Sequence, residues 1–333
     1  MQHAVRYMET NSQSPYYNLA FEEYVLTHRT EGDYLLLWQN DNTIVVGQNQ
    51  STEAEINRPF VEAHHINVVR RSTGGGAVYH DLGNLNYSFI TDAGDKESIS
   101  MARFTHPVVE ALKGLGLQAE ASGRNDILVE GRKVSGTAQR LCGNRILHHG
   151  TLLFDANPDM VAGALQVDPE KFRSKSTKSV RSRIGNIREF LPTDMDLPAF
   201  WEYLKKFFAG SGIVNDSLSA EELAAVEKLK TEKYDTWEWN YGRSPKYNVN
   251  NKQRYEAGGV EFQAEVAGGV IREITFYGDF LAVCPLTPLT EALSGCAFRR
   301  EDVAAVLDRF DLRSMFGGIT RDELLDLMFR IGV

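Results

Sequence analysis

Hydrophobic spacing along the N-terminal part of the chain alternates between the helical period and the strand period. Tyr17, Phe21, Tyr24, Val25 and His28 recur at helical spacing behind Ser14-Pro15, a pair suited to start an amphipathic helix. Tyr34 to Trp38 and Ile44 to Val46 are short apolar runs, and Asn40-Asp41-Asn42 between them carries turn chemistry, so the two are expected to pair. Ile66 to Val69 predicts a strand leading into a run of glycines, and Leu85, Tyr87 and Phe89 alternate on the strand after it. A helix is expected from about Thr105 to Leu115. Ile127 to Val129 then reads as a strand, Glu130-Gly131 as its turn and Lys133 to Ser135 as the return. Simple alternation places Lys133 and Ser135 on one face and Val134 on the other. Helices follow near Asp159 to Leu165, Pro198 to Phe208 and Ala220 to Lys230. Hairpins outnumber strand–helix–strand units, which favours an α+β fold with a mixed, largely antiparallel sheet.

From Tyr241 to Asn251 the pattern lapses into Gly, Ser, Pro, Asn and Lys, which marks a linker at residues 245–251. It separates a first domain, residues 1–244, from a second, residues 252–333. In the second, Val260, Phe262, Ala264 and Val266 alternate, Gly268-Gly269 turns the chain, and Ile271 to Phe276 returns. Two helices near Arg300 to Arg309 and Arg321 to Ile331 complete a small α+β unit.

Composition narrows the function classes. Of 333 residues, 42% are hydrophobic and 24% charged, as in ordinary globular proteins. A net charge of −9 argues against a general nucleic-acid binder. No apolar run approaches the roughly 18 residues of a membrane span, so no membrane role is expected. Cys142, Cys284 and Cys296 form no CxxC pair, which suggests reduced thiols in a cytoplasmic protein and no zinc site.

Candidate chemistry concentrates in two runs. In Arg70-Arg71-Ser72-Thr73-Gly74-Gly75-Gly76-Ala77-Val78-Tyr79-His80-Asp81-Leu82-Gly83-Asn84, two cations enter a backbone whose N–H groups no side chain shields. That suits a phosphate, although no Lys-Ser/Thr pair follows as in a P-loop, and a glycine-rich hairpin with two solvated arginines fits the run equally well. The second run is GRNDILVEGRKVSGTAQ at 123–139. If the Lys133 ammonium is partly buried in a cleft, it requires an anionic partner, a carboxylate or a phosphate.

These runs, with HHGTLLFD at 148–155 and Lys178-Ser179-Val180-Arg181-Ser182-Arg183, resemble bacterial lipoate–protein ligases of the biotin/lipoate protein ligase superfamily in order and spacing. The resemblance extends from about Asn18 through the segment Trp237 to Gly242, and more loosely to the C-terminus. Gln48 departs from it, standing where an arginine is expected. The resemblance implies a catalytic domain of the biotin/lipoate ligase type with a small accessory domain. It also implies an enzyme that activates free lipoate or octanoate with ATP and Mg²⁺ to an acyl-AMP and pyrophosphate. The acyl group would then pass to a lysine of the lipoyl domains of 2-oxoacid dehydrogenase E2 subunits or of glycine cleavage H protein.

By the same resemblance Lys133 is the catalytic residue, bridging the acid and the α-phosphate. Arg71, with Arg70 as the alternative, and the backbone of Gly74, Gly75, Gly76, Ala77, Val78 and Tyr79 bind the adenylate, helped by Asn84 and Asp126. Asp126 is also the candidate magnesium partner through phosphate. Asn84 and Asp126 are equally good turn residues. Trp38, Val46, Gly75, Val78, Lys133, Ser135, Gly136 and His149 surround lipoate, and Lys178 to Arg183 form a mobile lid. Three readings compete with this one: a lipoyl or octanoyl transferase that needs no ATP, a non-catalytic lipoyl-domain-binding module, and, more weakly, a biotin ligase. A thioester-exchanging transferase would need Cys142 as its nucleophile, and a binding module would be expected to have lost Lys133 or the glycines.

Overall fold

The computed structural model describes residues 5–94, 100–123, 125–165, 183–209, 212–242 and 248–329. Its centre is an eight-stranded sheet in the order β11-β1-β2-β6-β10-β9-β8-β7. These strands are β1 (Val5–Glu9), β2 (Tyr34–Trp38), β6 (Asn84–Asp92), β7 (Ala119–Ser122), β8 (Asp126–Val129), β9 (Arg132–Cys142), β10 (Arg145–Leu153) and β11 (Ile213–Asn215). Only the β1–β11 and β1–β2 pairs are parallel, so the sheet is mixed and largely antiparallel as expected. One face carries Tyr7, Leu35, Leu85, Tyr87, Phe89 and Ile127 against the helices Ala102–Gly114 and Leu197–Ala209. The other face, with Leu36, Trp38 and Leu147, packs on helix α1 (Pro15–His28).

Helix α1 starts where Ser14-Pro15 predicts, with the Ser14 hydroxyl accepting from the Tyr17 N–H. It is not one-faced, however. Asn18, Glu22 and Glu23 are buried along with its apolar residues, because the sheet and the helix Ala220–Leu229 enclose it. The expected pairing of Tyr34–Trp38 with Ile44–Val46 does not occur. Both edges of β2 are taken by β1 and β6, and β3 (Thr43–Val46) instead joins β4 (Asn67–Arg70) and β5 (Val78–His80) in a separate three-stranded sheet. The glycine run connects β4 to β5, so this small sheet is its frame.

The C-terminal part is a second three-stranded sheet, β12 (Val249–Tyr255), β13 (Gly258–Ala267) and β14 (Val270–Gly278), with its own core around Phe262, Phe276, Phe280 and Phe316. Strand β12 takes up Val249 to Asn251, which composition assigned to the linker. None of its side chains is fully buried, a weak hydrophobic signal. Short helices at Thr287–Leu293 and Leu312–Phe316 also lay below sequence detection.

Candidate active site

A cavity of about 110 Å³ opens between α1, the glycine loop and the strands β2, β6, β9 and β10. Trp38, Arg71, Gly76, Ala77, Val78, Lys133, Gly136 and His149 line it, so eight of the residues expected from sequence meet in one place. Lys133 reaches it from β9 and pairs with Asp126 on β8 at 2.7 Å, each side chain about one-third exposed. Gly136 leaves room for this arm, since a Cβ there would lie 3.1 Å from Lys133 Nζ. The chain returns along the same residue: Gly185 N–H donates to the Lys133 carbonyl, and Ile184 bridges to it. Of the expected lid, Arg183 alone is described; Lys178, Ser179, Val180, Arg181 and Ser182 lie outside the described residues.

Several assignments move. Ser135 is fully buried and turned toward the Tyr87 phenol, away from the cavity. The cause is a register shift: Ile127 pairs with Ser135 but Leu128 with Lys133, so Val134 is an extra residue that resets the alternation. Val46 packs with Ile44, Val61 and Tyr79 behind β3, and its neighbour Val45 lines the cavity instead. Tyr79 also points backward, donating its hydroxyl to Asn42 at 2.9 Å. Asn84 is buried, with its amide on Asn86, and Asn86 rather than Asn84 reaches the cavity. Gly74 and Gly75 are occupied by the C-terminal part. Gly75 N–H donates to the Phe280 carbonyl at 3.1 Å, and a Cβ on Gly74 would lie 2.7 Å from Ala282 N. Gly76 has open space around it, so the loop's exposed backbone begins there.

The two arginines point apart, as residues of an extended segment must. Arg70 is 1% exposed and donates to the carbonyls of Gly47, Gln48, Gln50, Trp239 and Asn240 and to the Thr52 hydroxyl. Arg71 lines the cavity, but its N–H groups already go to Thr73 Oγ1 and to the carbonyls of Val45, Gly74 and Gly76. Burial pulls its pKa down to about 10, and the nearby Glu22 charge opposes that fall. In this structure Arg71 shapes the loop rather than extending a free fork.

Sequence reasoning missed the polar groups beneath the cavity. Glu22, fully buried on α1, lies 2.9 and 3.0 Å from His149 Nδ1 through its two oxygens. His80 lines the cavity too, and burial, with Arg71 and His149 nearby, pushes its pKa down to about 3, leaving it neutral. Glu22 sits one helical turn from Asn18 and could have been flagged with Glu23 as an acidic pair among the apolar residues of the helix; His80 carried no signal of its own. Cys142 lies opposite Arg145 at the far end of β9 and is not among the cavity residues.

Comparison with known proteins agrees with this geometry. Residues 14–209 match the family model described as "Lipoyl protein ligase A/B catalytic domain", and residues 244–328 match "Bacterial lipoate protein ligase C-terminus". The chain is 43% identical over 324 residues to lipoate-protein ligase LplJ of Bacillus subtilis, covering 96% of this chain and 98% of that protein. The fold is shared with P. falciparum LipL1 crystallised with lipoate, at a TM-score of 0.82, 23% identity and coverage of 98% of this chain and 100% of that one. A lipoate-protein ligase A structure bound with ATP matches 73% of this chain and 99% of its own, at 26% identity and a TM-score of 0.62.

Proposed function

The chain belongs to the lipoyl protein ligase A/B family, and we propose that it joins lipoate or octanoate to a lysine of acceptor lipoyl domains in two steps driven by ATP. The observation that carries this reading is Lys133: an ammonium about one-third exposed, lining a cavity that Gly76, Ala77 and Val78 also line. Two anions must meet there, and a carboxylate against an α-phosphate is strongly repelled unless a cation stands between them. In the first step a carboxylate oxygen of the acid attacks the α-phosphorus, the bond to the bridging oxygen breaks, and pyrophosphate leaves with that oxygen. Lys133 holds both reactants and offsets the charge on the phosphorane-like transition state. In the second step the acceptor ε-amine attacks the acyl carbon, the bond to the AMP oxygen breaks, and AMP departs while the amine releases a proton.

Asp126 is released from Lys133 when phosphate takes its place. Among the described residues no group of three His, Cys, Asp or Glu side chains could hold a metal ion by itself. A magnesium ion bound to the triphosphate would find in Asp126, beside Lys133, a protein carboxylate. Trp38, Val45 and Val78 supply the apolar walls for the acid's chain. Residues 1–244 form the catalytic domain in this reading, and the accessory domain follows it and takes in strand β12 from Val249. The acceptors are the lipoyl domains of 2-oxoacid dehydrogenase E2 subunits or glycine cleavage H protein. A cytoplasmic location is the reading that three cysteines in no disulfide support, and no described helix is long and apolar enough to cross a membrane.

The test is ATP–pyrophosphate exchange with lipoate and Mg²⁺ but no acceptor. Lipoate-dependent exchange is expected. Its absence, together with transfer from supplied lipoyl-AMP, would make the protein a transferase.

A further inference from the structure

Beneath the cavity runs an unbroken line of buried hydrogen bonds from the wall facing the acid to the loop facing the nucleotide. Trp38 Nε1–H donates to Ser88 Oγ at 2.9 Å, and the Ser88 hydroxyl donates to Glu22 Oε1 at 2.5 Å. His149 joins Glu22 on one side and Thr73 Oγ1 on the other, at 2.7 Å from Nε2. Arg71 Nε–H donates to the same Thr73 oxygen at 3.0 Å, and its Nη2 group donates to the Gly74 and Gly76 carbonyls at 2.6 and 2.9 Å. Every side chain in the line is buried: Glu22 is 1% exposed, Ser88 and Thr73 0%, Arg71 6% and His149 8%.

The direction of one proton follows from the chemistry of the helix end. A carboxylate only accepts, so the imidazole proton on Nδ1 points at Glu22. Thr73 Oγ1 meets both Arg71 Nε–H and His149 Nε2, so its hydroxyl is the joint between the guanidinium and the ring. The line runs from a guanidinium at the loop end to a carboxylate at the helix end. The guanidinium and the carboxylate are joined through Thr73 and His149, and no member of the line is left without a partner.

We propose that Glu22 and Thr73 are positioning residues for the nucleotide, acting through His149 and Arg71 to hold the glycine loop open at Gly76 to Val78. The inference rests on the ligase reading for the identity of the nucleotide, but the ordering of the loop does not. Glu22 belongs by position to the acid side of the site, under Trp38 and His149. Its effect is nonetheless carried to the other substrate, because the groups it orients end on the loop carbonyls. A hydroxyl is needed at residue 73; its methyl group is not, so serine serves and valine, of the same shape as threonine, does not.

The experiment uses the full chain and compares Thr73→Val, Thr73→Ser, Glu22→Gln and the double variant Glu22→Gln/Thr73→Val. Michaelis constants come from pyrophosphate exchange, and amide hydrogen exchange is followed across residues 74–78. Thr73→Val is expected to raise KM for ATP about tenfold, the worth of one charge-linked hydrogen bond, with KM for lipoate within about twofold of wild type. Thr73→Ser should restore the wild-type value. Glu22→Gln should move the same constant, and the double variant should be no worse than the worse single one, as members of one line are not additive. Faster exchange at 74–78 should accompany each loss. Equal rises for both substrates, strict additivity, or unchanged exchange in Thr73→Val would overturn the proposal. If wild-type protein shows no pyrophosphate exchange, the ligase reading fails, while the amide data still decide whether this line holds the loop. Should Glu22→Gln not fold, the valine–serine pair at 73 decides alone.

Discussion

Arg70 and Arg71 are neighbours of the same chemistry, and the regions on either side of them have opposite characters. Behind Arg70 the chain is closed. Its guanidinium gathers carbonyls from the Gly47–Gln50 turn and from the helical turn Trp237–Asn240, while Asn240 Oδ1 accepts the Arg70 N–H and Trp239 Nε1–H donates to the Arg70 carbonyl. In front of Arg71 the chain is open, onto the cavity with Lys133. The difference teaches that an arginine beside a glycine run is not evidence of a phosphate fork. One of the pair ties three distant segments into a scaffold, and the other holds the Gly74 and Gly76 carbonyls of the loop beside the cavity.

This contrast explains what the sequence could and could not disclose. Three of the motif runs converge as expected because each is a local signal on a strand or turn: Gly76 to Val78, Lys133, Gly136 and His149 all reach the cavity. What was illegible depended on long-range pairing. Nothing local says that β3 leaves its neighbour β2 for another sheet, or that one extra residue at Val134 turns Ser135 into the core. Nor could the glycines announce that the Phe280 carbonyl takes the Gly75 N–H and that Ala282 packs where Gly74 lacks a side chain. The segment from Trp237 to Gly242 read as the end of a domain. Its Asn240 and Trp239 prove to be what the Arg70 scaffold is fastened to.

Three substitutions can break or sharpen the contrast. The largest effect is expected at the closed side. Arg70→Met strands buried carbonyls from Gly47, Gln50 and Asn240 together, and should cost about 4–5 kcal/mol of stability. Urea unfolding measures it, and any activity lost should track the folded fraction. A folded, stable Arg70→Met protein with weakened ATP binding would reverse the roles of the two arginines.

Lys133→Met should do the opposite. The side chain is about one-third exposed and its ion pair is with an equally exposed partner, so the fold should hold within about 0.5 kcal/mol. Adenylate formation should fall by roughly a hundredfold to a thousandfold, about 3–4 kcal/mol of transition-state stabilisation. Stopped-time assays of acyl-AMP formation with saturating lipoate and ATP give the number. Retention of a tenth of wild-type activity would remove Lys133 from the centre of the chemistry.

The same division recurs on α1 between Glu22 and Glu23, and pH can separate them. Glu22 serves the cavity line, whereas Glu23 belongs to the closed side, accepting from Lys233 at 2.7 Å, Arg140 at 2.8 Å and the Tyr234 hydroxyl at 2.6 Å. Burial alone would raise the Glu23 pKa, but Lys233 and Arg140 prevail and hold it at about 2, below the ordinary 4.5. A carboxylate whose folded-state pKa is depressed adds stability that is fully present above its unfolded value and is lost as pH falls toward the folded one. For Glu23 that window runs from about 4.5 down to about 2, and the shift corresponds to about 3 kcal/mol at neutral pH. Glu23→Gln should therefore be less stable than wild type by up to that amount at pH 6, and the two proteins should converge as pH drops toward 3 and below, where wild-type Glu23 begins to take up its proton in the folded state. Urea unfolding at pH 6, 4 and 3 measures the gap. A gap that stays constant across the series would mean that Glu23 acts by shape and hydrogen bonding, and that the ion pairs of the closed side add nothing beyond it.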